Sequence, residues 1–152
     1  MATGTKGDMD WAEVAARLAP ARNYWLGTTT AGGAPHAAPA WGVVVDGQFY
    51  TYSERKTVRA RNLVLDPRIV IHLESVEHVV IVHGRMLDVG RPVEEPEVVD
   101  ALSVKYDAPG DDQYLPSTDE AFDVLYLLQP ERALLWELLD FDGSQQRWSL
   151  TR

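Results

Sequence analysis

The sequence of 152 residues contains no cysteine, so neither disulfide bonds nor thiolate chemistry are available to it. Positive charge is also scarce, because 14 Lys and Arg stand against 23 Asp and Glu and the formal net charge is −9. An acidic chain of this kind is a poor partner for nucleic acid. No apolar run approaches the ~20 residues of a membrane-spanning helix, and no signal peptide is visible. We therefore expect a cytoplasmic protein whose partner is a small molecule.

Several motifs that carry chemistry are missing as well. The sequence has no G-x-G-x-x-G opening a helix, no P-loop, no H-E-x-x-H and no G-x-S-x-G. His78 and His83 are five residues apart on a predicted strand and face opposite sides, which is poor geometry for a shared metal ion. We expect no metal site and assign no catalytic residue. If the protein is an enzyme, a bound cofactor supplies the chemistry.

The length fits one domain, which we place at residues 10–152 after a disordered leader at residues 1–9. Asp10 and Glu13 have the spacing of a capping box for a short helix that ends at Pro20. From residue 23 onward the hydrophobic period is two, which predicts a mainly β fold with a few helices. Strands are predicted at 24–30, 36–45, 48–53, 68–74, 78–89, 121–129, 131–139 and 145–150, and further helices at 57–66 and 94–107.

Three local features bear on the shape of this sheet. Pro39 cannot donate to a strand ladder, so the strand that contains it lies at an edge or at a split of the sheet. The small residues Ala38, Ala40 and Gly42 on one face of this strand admit either a flat ligand or, more often, tight packing. Gly84 indicates a bend that curves a barrel. The acidic segment 107–119 is predicted to be an exposed surface connector, with a lid over a pocket as the alternative.

The scarce positive charge is concentrated in one segment, which contains Arg55, Lys56, Arg59 and Arg61. The following helix is capped by Thr57, or by Ser53 one turn earlier. The cations therefore lie in the loop and first turn, where the helix dipole is already positive. A bound phosphate or similar anion would relieve this repulsion, and the alternative interpretation is a solvated basic rim.

Three segments in this order resemble the pyridoxamine 5′-phosphate oxidase-like family of flavin-binding split β-barrels. They are YWLGTTTAGGAPHAAPAWGVVVDGQFYTYS at 24–53, RARNLVLDPRIVIHL at 59–73 and VVIVHGR at 79–85, with a weaker similarity in QQRW at 145–148. The clear resemblance covers roughly residues 22–89. It implies a split β-barrel of Greek-key type and a homodimer with a flavin-type cofactor in each cleft between subunits.

The resemblance also implies which residues bind the cofactor. The cofactor phosphate is held by Thr57, Arg59 and Arg61, with Asn62 nearby. The ring system and the entrance to its site are lined by Pro39, Ala40, Trp41, Tyr52 and Ser53. Trp148 is contributed by the partner subunit.

The chain departs from the true oxidases at three positions. Those enzymes place an arginine and a lysine where this chain has Ala38 and Val43, and a flavin-contacting glutamine where it has Val79. These losses disfavour FMN, and the chain looks closer to relatives that use the deazaflavin coenzyme F-420. Arg55 and Lys56 are then expected to contact the anionic tail of that coenzyme. We expect a reductase that passes a hydride from the deazaflavin to an unsaturated small molecule. The alternatives are an FMN-dependent oxidoreductase and a non-catalytic protein that binds flavin, deazaflavin or haem.

Overall fold

The computed structural model describes residues 9–116 and 120–150. The predicted leader falls almost entirely on residues 1–8, which lie outside the described residues, as do residues 117–119 of the predicted connector. Met9 is described, and its amide donates to the Arg147 carbonyl at 3.2 Å. The N-terminal end of the described chain is therefore attached to the last strand.

The described residues form four helices and eight strands, which confirms the mainly β prediction. The helices are α1 (Trp11–Leu18), α2 (Val58–Leu65), α3 (Pro96–Lys105) and α4 (Phe141–Ser144). The strands are β1 (Tyr24–Thr29), β2 (Pro35–Ala40), β3 (Gly42–Val45), β4 (Gln48–Ser53), β5 (Arg68–Leu73), β6 (His78–Asp88), β7 (Val124–Glu137) and β8 (Gln146–Ser149). Of the helices described, none is long and apolar enough to cross a membrane. The predicted capping box of α1 is present, with Asp10 and Glu13 as its two members.

The strands form one antiparallel sheet in the order β2-β1-β5-β6-β7-β4-β3, with β8 paired to β7. β2 and β3 lie at opposite ends of this order, yet Trp41 is the one residue between them. The sheet must therefore curl until its two ends meet at Trp41. The predicted single strand 36–45 is wrong, because its halves pair with different partners. Pro39 lies on the edge strand β2, as predicted, where its missing N–H breaks no ladder.

Two clusters of buried side chains hold the curled sheet together. The larger cluster fills the interior between the sheet, α1 and α2, and it includes Leu18, Leu26, Phe49, Ile71 and Val82. The smaller lies between the sheet and α3, and it consists of Val43, Tyr52, Val98, Leu102, Tyr106, Leu115 and Leu125. Burial of large apolar side chains of this kind contributes about 1.5–3 kcal/mol each. The second cluster matters for the site, because it fixes the end of α3 behind Trp41.

The bend predicted at Gly84 is confirmed as a break in strand register. Gly84 pairs with Pro130 while His83 pairs with Arg132, so β7 carries one extra residue at this point. The bulge accommodates Pro130, which has no N–H to donate. For this reason the predicted strands 121–129 and 131–139 are one continuous strand, β7.

We predict that Gly84→Ala destabilises the protein by about 1–3 kcal/mol, because overpacked sites relax only at such a cost. A Cβ at Gly84 would overlap the Gln129 carbonyl oxygen and lie 2.9 Å from Pro130 Cα. Urea denaturation of the purified variant measures the change. The matched control is Gly32→Ala, since a Cβ there meets no atom within 4 Å. Equal stability of the two variants would contradict the assigned register.

Candidate functional site

Two adjoining cavities lie where the ends of the sheet meet. The first, which we call the aromatic pocket, has a volume of about 340 Å³. It is lined by Asn23, Pro39, Ala40, Trp41, Tyr52, Ser53, Glu54, Thr57, Arg59, Tyr114 and Phe122. The second, the basic groove, has a volume of about 520 Å³ and is lined by His36, Ala38, Lys56, Thr57, Val58, Arg59 and Arg61. Because Thr57 and Arg59 line both cavities, the pocket and the groove meet at these two residues.

Trp41 forms one wall of the aromatic pocket and is held by neighbours on several sides. Its indole stacks on the Tyr106 ring with centroids 4.1 Å apart and planes 4° from parallel. Its Nε1 donates to Asn23 Oδ1 at 3.0 Å, and its carbonyl accepts from Thr51 Oγ1 at 2.6 Å. The Tyr114 ring meets the indole edge-on, with centroids 6.2 Å apart. An aromatic wall held in this way is preorganised for a flat ligand.

The end of α3 fixes the backbone next to Trp41. The Tyr106 hydroxyl accepts from the Gly42 amide at 3.0 Å and donates to the Arg22 carbonyl at 2.7 Å. Lys105 Nζ donates to the Gly42 carbonyl and to the Tyr24 hydroxyl, both at 2.8 Å. Burial lowers the pKa of Lys105 to about 8. The Gly42 amide and carbonyl at the junction between β2 and β3 thus find hydrogen-bond partners at the C-terminal end of α3.

Arg59 lies at the junction of the two cavities and is poorly satisfied. Its Nη1 donates to the Pro39 carbonyl and its Nη2 to Ser53 Oγ, both at 3.3 Å, which is long for such bonds. Its Nε is buried and has no hydrogen-bond partner. Burial lowers the pKa of the guanidinium, which nevertheless stays charged in proteins. A buried donor without a partner is costly, so this cation is suited to receive an anion.

The start of α2 presents further donors to the basic groove. Thr57 is the N-cap, as predicted, and its Oγ1 accepts from the Ala60 amide at 3.2 Å. Lys56 pairs with Glu54 at 3.2 Å, but its side chain is 82% exposed and such surface pairs contribute little. The described lining of the groove contains Lys56, Arg59 and Arg61 and no acidic residue. The groove is therefore locally positive on an acidic protein.

Arg55 is placed differently from the other cations of its segment. Its guanidinium forms a two-bond contact with Asp88, at 2.7 and 3.2 Å, and its backbone amide donates to Asp123 at 2.7 Å. The carboxylate already compensates its charge, and the residue is absent from the linings of the pocket and the groove. This ion pair gives Arg55 a structural role, and its expected contact with an anionic tail stays a prediction.

Two more predicted site residues have structural contacts. Asn62 is buried, and its Nδ2 donates to Thr28 Oγ1 at 3.0 Å, which ties α2 to β1. Trp148 packs on Trp11 with ring centroids 5.1 Å apart, beside the main buried cluster. A role for Trp148 in the site of a partner subunit stays a prediction. Across residues 9–116 and 120–150, no group of three or more His, Asp or Glu side chains is placed to hold a metal ion.

The described part of segment 107–119 is largely exposed, as predicted, but it is more than a plain connector. Asp111 is only 6% exposed and pairs with Arg22, and Tyr114 lines the aromatic pocket. Phe122, just after the segment, also lines the pocket and packs edge-on against Tyr52. Sequence reasoning missed both aromatics, as well as Asn23 and Glu54. The available signal was an aromatic residue inside an otherwise acidic stretch.

The three positions that depart from the oxidase pattern are not equivalent. Ala38 lines the basic groove. Val43 is buried in the cluster beneath α3, and Val79 lies opposite Trp136 on β7. Within one chain, only the change at Ala38 alters a described wall of the two cavities.

Solved structures share this architecture. A conserved hypothetical protein from Mycobacterium tuberculosis is 25% identical, with a TM-score of 0.71 over 90% of both chains. A protein named as an F420 reductase is 20% identical, with a TM-score of 0.61 over 77% of this chain and 93% of that one. A heme binding protein from Mycobacterium smegmatis is 20% identical, with a TM-score of 0.65 over 98% of this chain and 60% of that one.

No curated protein matches the sequence significantly. The family model of pyridoxamine 5′-phosphate oxidase, however, matches residues 11–136, which is most of the chain. The curled antiparallel sheet confirms the split β-barrel that the sequence resemblance implied. The chain therefore belongs to the pyridoxamine 5′-phosphate oxidase family.

Proposed function

We propose that the protein is a cytoplasmic reductase that holds a deazaflavin, coenzyme F-420, across the aromatic pocket and the basic groove. The observation that carries this proposal is the position of Arg59. Its buried, partnerless Nε lies where a pocket for a flat ring meets a groove for an anion. A ligand with a flat ring and a phosphorylated side chain matches both halves. The bound deazaflavin would supply the hydride that reduces an unsaturated small molecule.

The residues of the chain would bind and orient such a ligand. Thr57, Arg59 and Arg61 would hold the phosphate, because the capped helix end and two guanidinium groups all offer donors. The backbone at Pro39 and Ala40 would lie along the ring, beside the fixed indole of Trp41. These walls keep water from the ring on the protein side, which protects a hydride transfer.

The charge of the groove favours the deazaflavin over FMN. Three cations, Lys56, Arg59 and Arg61, line the groove, and one phosphate does not use all of them. Coenzyme F-420 carries an anionic tail beyond its phosphate, which would compete with Glu54 for the exposed Lys56. Ala38 in turn offers FMN no polar contact. A fold relative named as an F420 reductase is in keeping with this choice.

A different cavity supports a second candidate function, non-catalytic haem binding. A space of about 730 Å³ between β1, β2, β5 and β6 is lined by His36, His72 and His83. His36 Nδ1 is buried without a partner, and His72 Nδ1 lies 2.8 Å from the Leu73 carbonyl, which leaves Nε2 for a ligand. A fold relative is named as a heme binding protein. The absorption spectrum of the purified protein separates haem, flavin and deazaflavin.

We expect Arg59→Gln and Arg61→Gln each to weaken cofactor binding roughly tenfold or more. Hydrogen bonds to a charged group contribute about 1.5–3 kcal/mol, and 1.4 kcal/mol is a tenfold change in Kd. Titration followed by tryptophan fluorescence measures Kd for both FMN and coenzyme F-420. The matched control is Arg55→Gln, which should change Kd little because Asp88 already occupies that guanidinium. Unchanged Kd in both test variants would mean that the cluster is only a solvated rim.

The second expectation separates the two cofactors. The deazaflavin should bind more tightly than FMN, and its binding should weaken as salt rises, because exposed charge contacts are screened. Lys56→Gln should reduce the affinity for coenzyme F-420 several-fold and leave FMN unaffected, since only the longer anion reaches Lys56. A protein that purifies yellow with stoichiometric FMN, or that binds FMN more tightly, would make FMN the cofactor.

The third expectation concerns assembly. Apolar side chains are strongly exposed on the single chain, among them Val64, Leu65, Val76, Leu138 and Leu139. We expect a homodimer that covers such surface and buries more than ~2,000 Å² in total, with Trp148 near the partner's cavities. Analytical ultracentrifugation at micromolar concentration should show a dimer that persists at high salt. A monomer under these conditions would remove the basis for a site shared between subunits.

A further inference from the structure

The described part of the 107–119 segment is attached to the barrel by a buried carboxylate. Asp111 accepts from Arg22 Nη1 at 3.0 Å and from Arg22 Nη2 at 2.7 Å, and the Ala108 amide donates to it at 3.1 Å. These hydrogen bonds lower the pKa of Asp111. A buried carboxylate with this set of donors is ionised, and removing Arg22 would leave it without its charged partner.

The partner of this carboxylate also touches the wall of the aromatic pocket. The Arg22 guanidinium lies 4.9 Å from the centroid of the Trp41 ring and 5.6 Å from that of Tyr106. Arginine held over aromatic faces is attracted by their π-electrons, and this contact is sensitive to position. Asp111 therefore determines where Arg22 lies against the Trp41–Tyr106 stack.

The same short turn carries a second piece of the wall. Asp111 and Tyr114 are the first and last residues of one 3₁₀ turn. The Tyr114 carbonyl accepts from the Tyr52 hydroxyl at 2.6 Å, and the Tyr114 ring meets the edge of Trp41. Asp111 is thus linked to the wall of the aromatic pocket in two ways: through the contact of Arg22 with Trp41, and through the turn that also contains Tyr114.

We propose that Asp111 is a positioning residue, which fixes Trp41 through Arg22 and Tyr114 through their shared turn, and so sets the affinity of the aromatic pocket for a flat ring. The inference rests on the proposed function only in taking a cofactor ring as the occupant. Phosphate binding depends on α2 and the basic groove, so Asp111 governs the ring half of recognition and Arg59 with Arg61 the anion half. If the Asp111–Arg22 pair only attached a surface segment, removing it would lower the stability of the protein but would not affect ring binding and phosphate binding differently.

The test compares Asp111→Asn with Asp111→Glu and with the matched control Asp107→Asn. Asp107 is an exposed acid of the same segment, so its variant removes the same charge without touching Arg22. Two ligands that share a ring are titrated by flavin fluorescence: FMN, and riboflavin, which lacks the phosphate. We expect Asp111→Asn to weaken both roughly tenfold, since members of one network are energetically coupled. Asp111→Glu should recover most of the loss, and Asp107→Asn should stay within twofold. Arg61→Gln, at a residue that lines the basic groove and not the aromatic pocket, should weaken FMN alone.

Two further measurements need no ligand. The near-ultraviolet circular dichroism of the Trp41–Tyr106 stack should weaken in Asp111→Asn, and amide hydrogen exchange over residues 107–116 should speed up at least tenfold. Arg22→Lys, which keeps the charge but loses the paired contact, should give intermediate values if Asp111→Asn folds poorly. The proposal is overturned if Asp111→Asn leaves the dichroism and the exchange unchanged, or if Asp107→Asn has the same effects. If neither the two flavins nor coenzyme F-420 bind to the parent protein, the proposed function fails, and these two measurements still decide whether Asp111 positions the wall.

Discussion

The structure depends on closing an eight-stranded sheet through a single residue. β2 and β3 are the two ends of the strand order, and Trp41 alone connects them. Because a single residue makes this connection, its backbone groups lie outside the strand ladders and must form hydrogen bonds with neighbouring elements. Tyr106 and Lys105 from α3 and Thr51 from β4 supply those partners. The side chains that close the barrel are therefore the ones that shape the pocket beside it.

The arrangement of charge follows a second constraint, which is that acids outnumber bases. Arg22, Arg55 and Arg68 each form a paired contact with a carboxylate. In contrast, among the described residues Arg59 and Arg61 have no carboxylate partner within ion-pair distance. The chain has 23 Asp and Glu and a net charge of −9, so carboxylates are abundant enough to pair with both arginines. Leaving cations unpaired at the start of a helix costs stability, and an anionic ligand offsets that cost.

Features encoded over a few neighbouring residues could be predicted from the sequence. The capping box of α1, the Thr57 cap and the bend at Gly84 depend on local patterns, and the structure contains all three. Features that depend on distant pairs could not be predicted. The pairs Arg55–Asp88 and Arg22–Asp111 join residues 33 and 89 positions apart, and no periodicity marks them. The division of the predicted strand 36–45 into β2 and β3 also depends on distant pairs, since β2 pairs with β1 and β3 with β4. Apolar alternation within a strand does not indicate its partner. Most residues that the resemblance assigned to the cofactor line the pocket or the groove, yet it could not reveal the wall from segment 107–116.

Two separate sets of contacts hold the proposed site in place. α2 is bonded to β1 through Asn62 and Thr28 and carries the proposed anion half of the site. The turn at 111–114 is bonded to the barrel through Arg22 and Tyr52 and borders the proposed ring half. The halves touch where Arg59 reaches the Pro39 carbonyl, through a long and therefore weak bond. Changes in one support need not disturb the other, because sites without shared partners behave additively. In the proposed site, the phosphate half can therefore stay unchanged while a single surface segment adjusts the ring that the other half accepts.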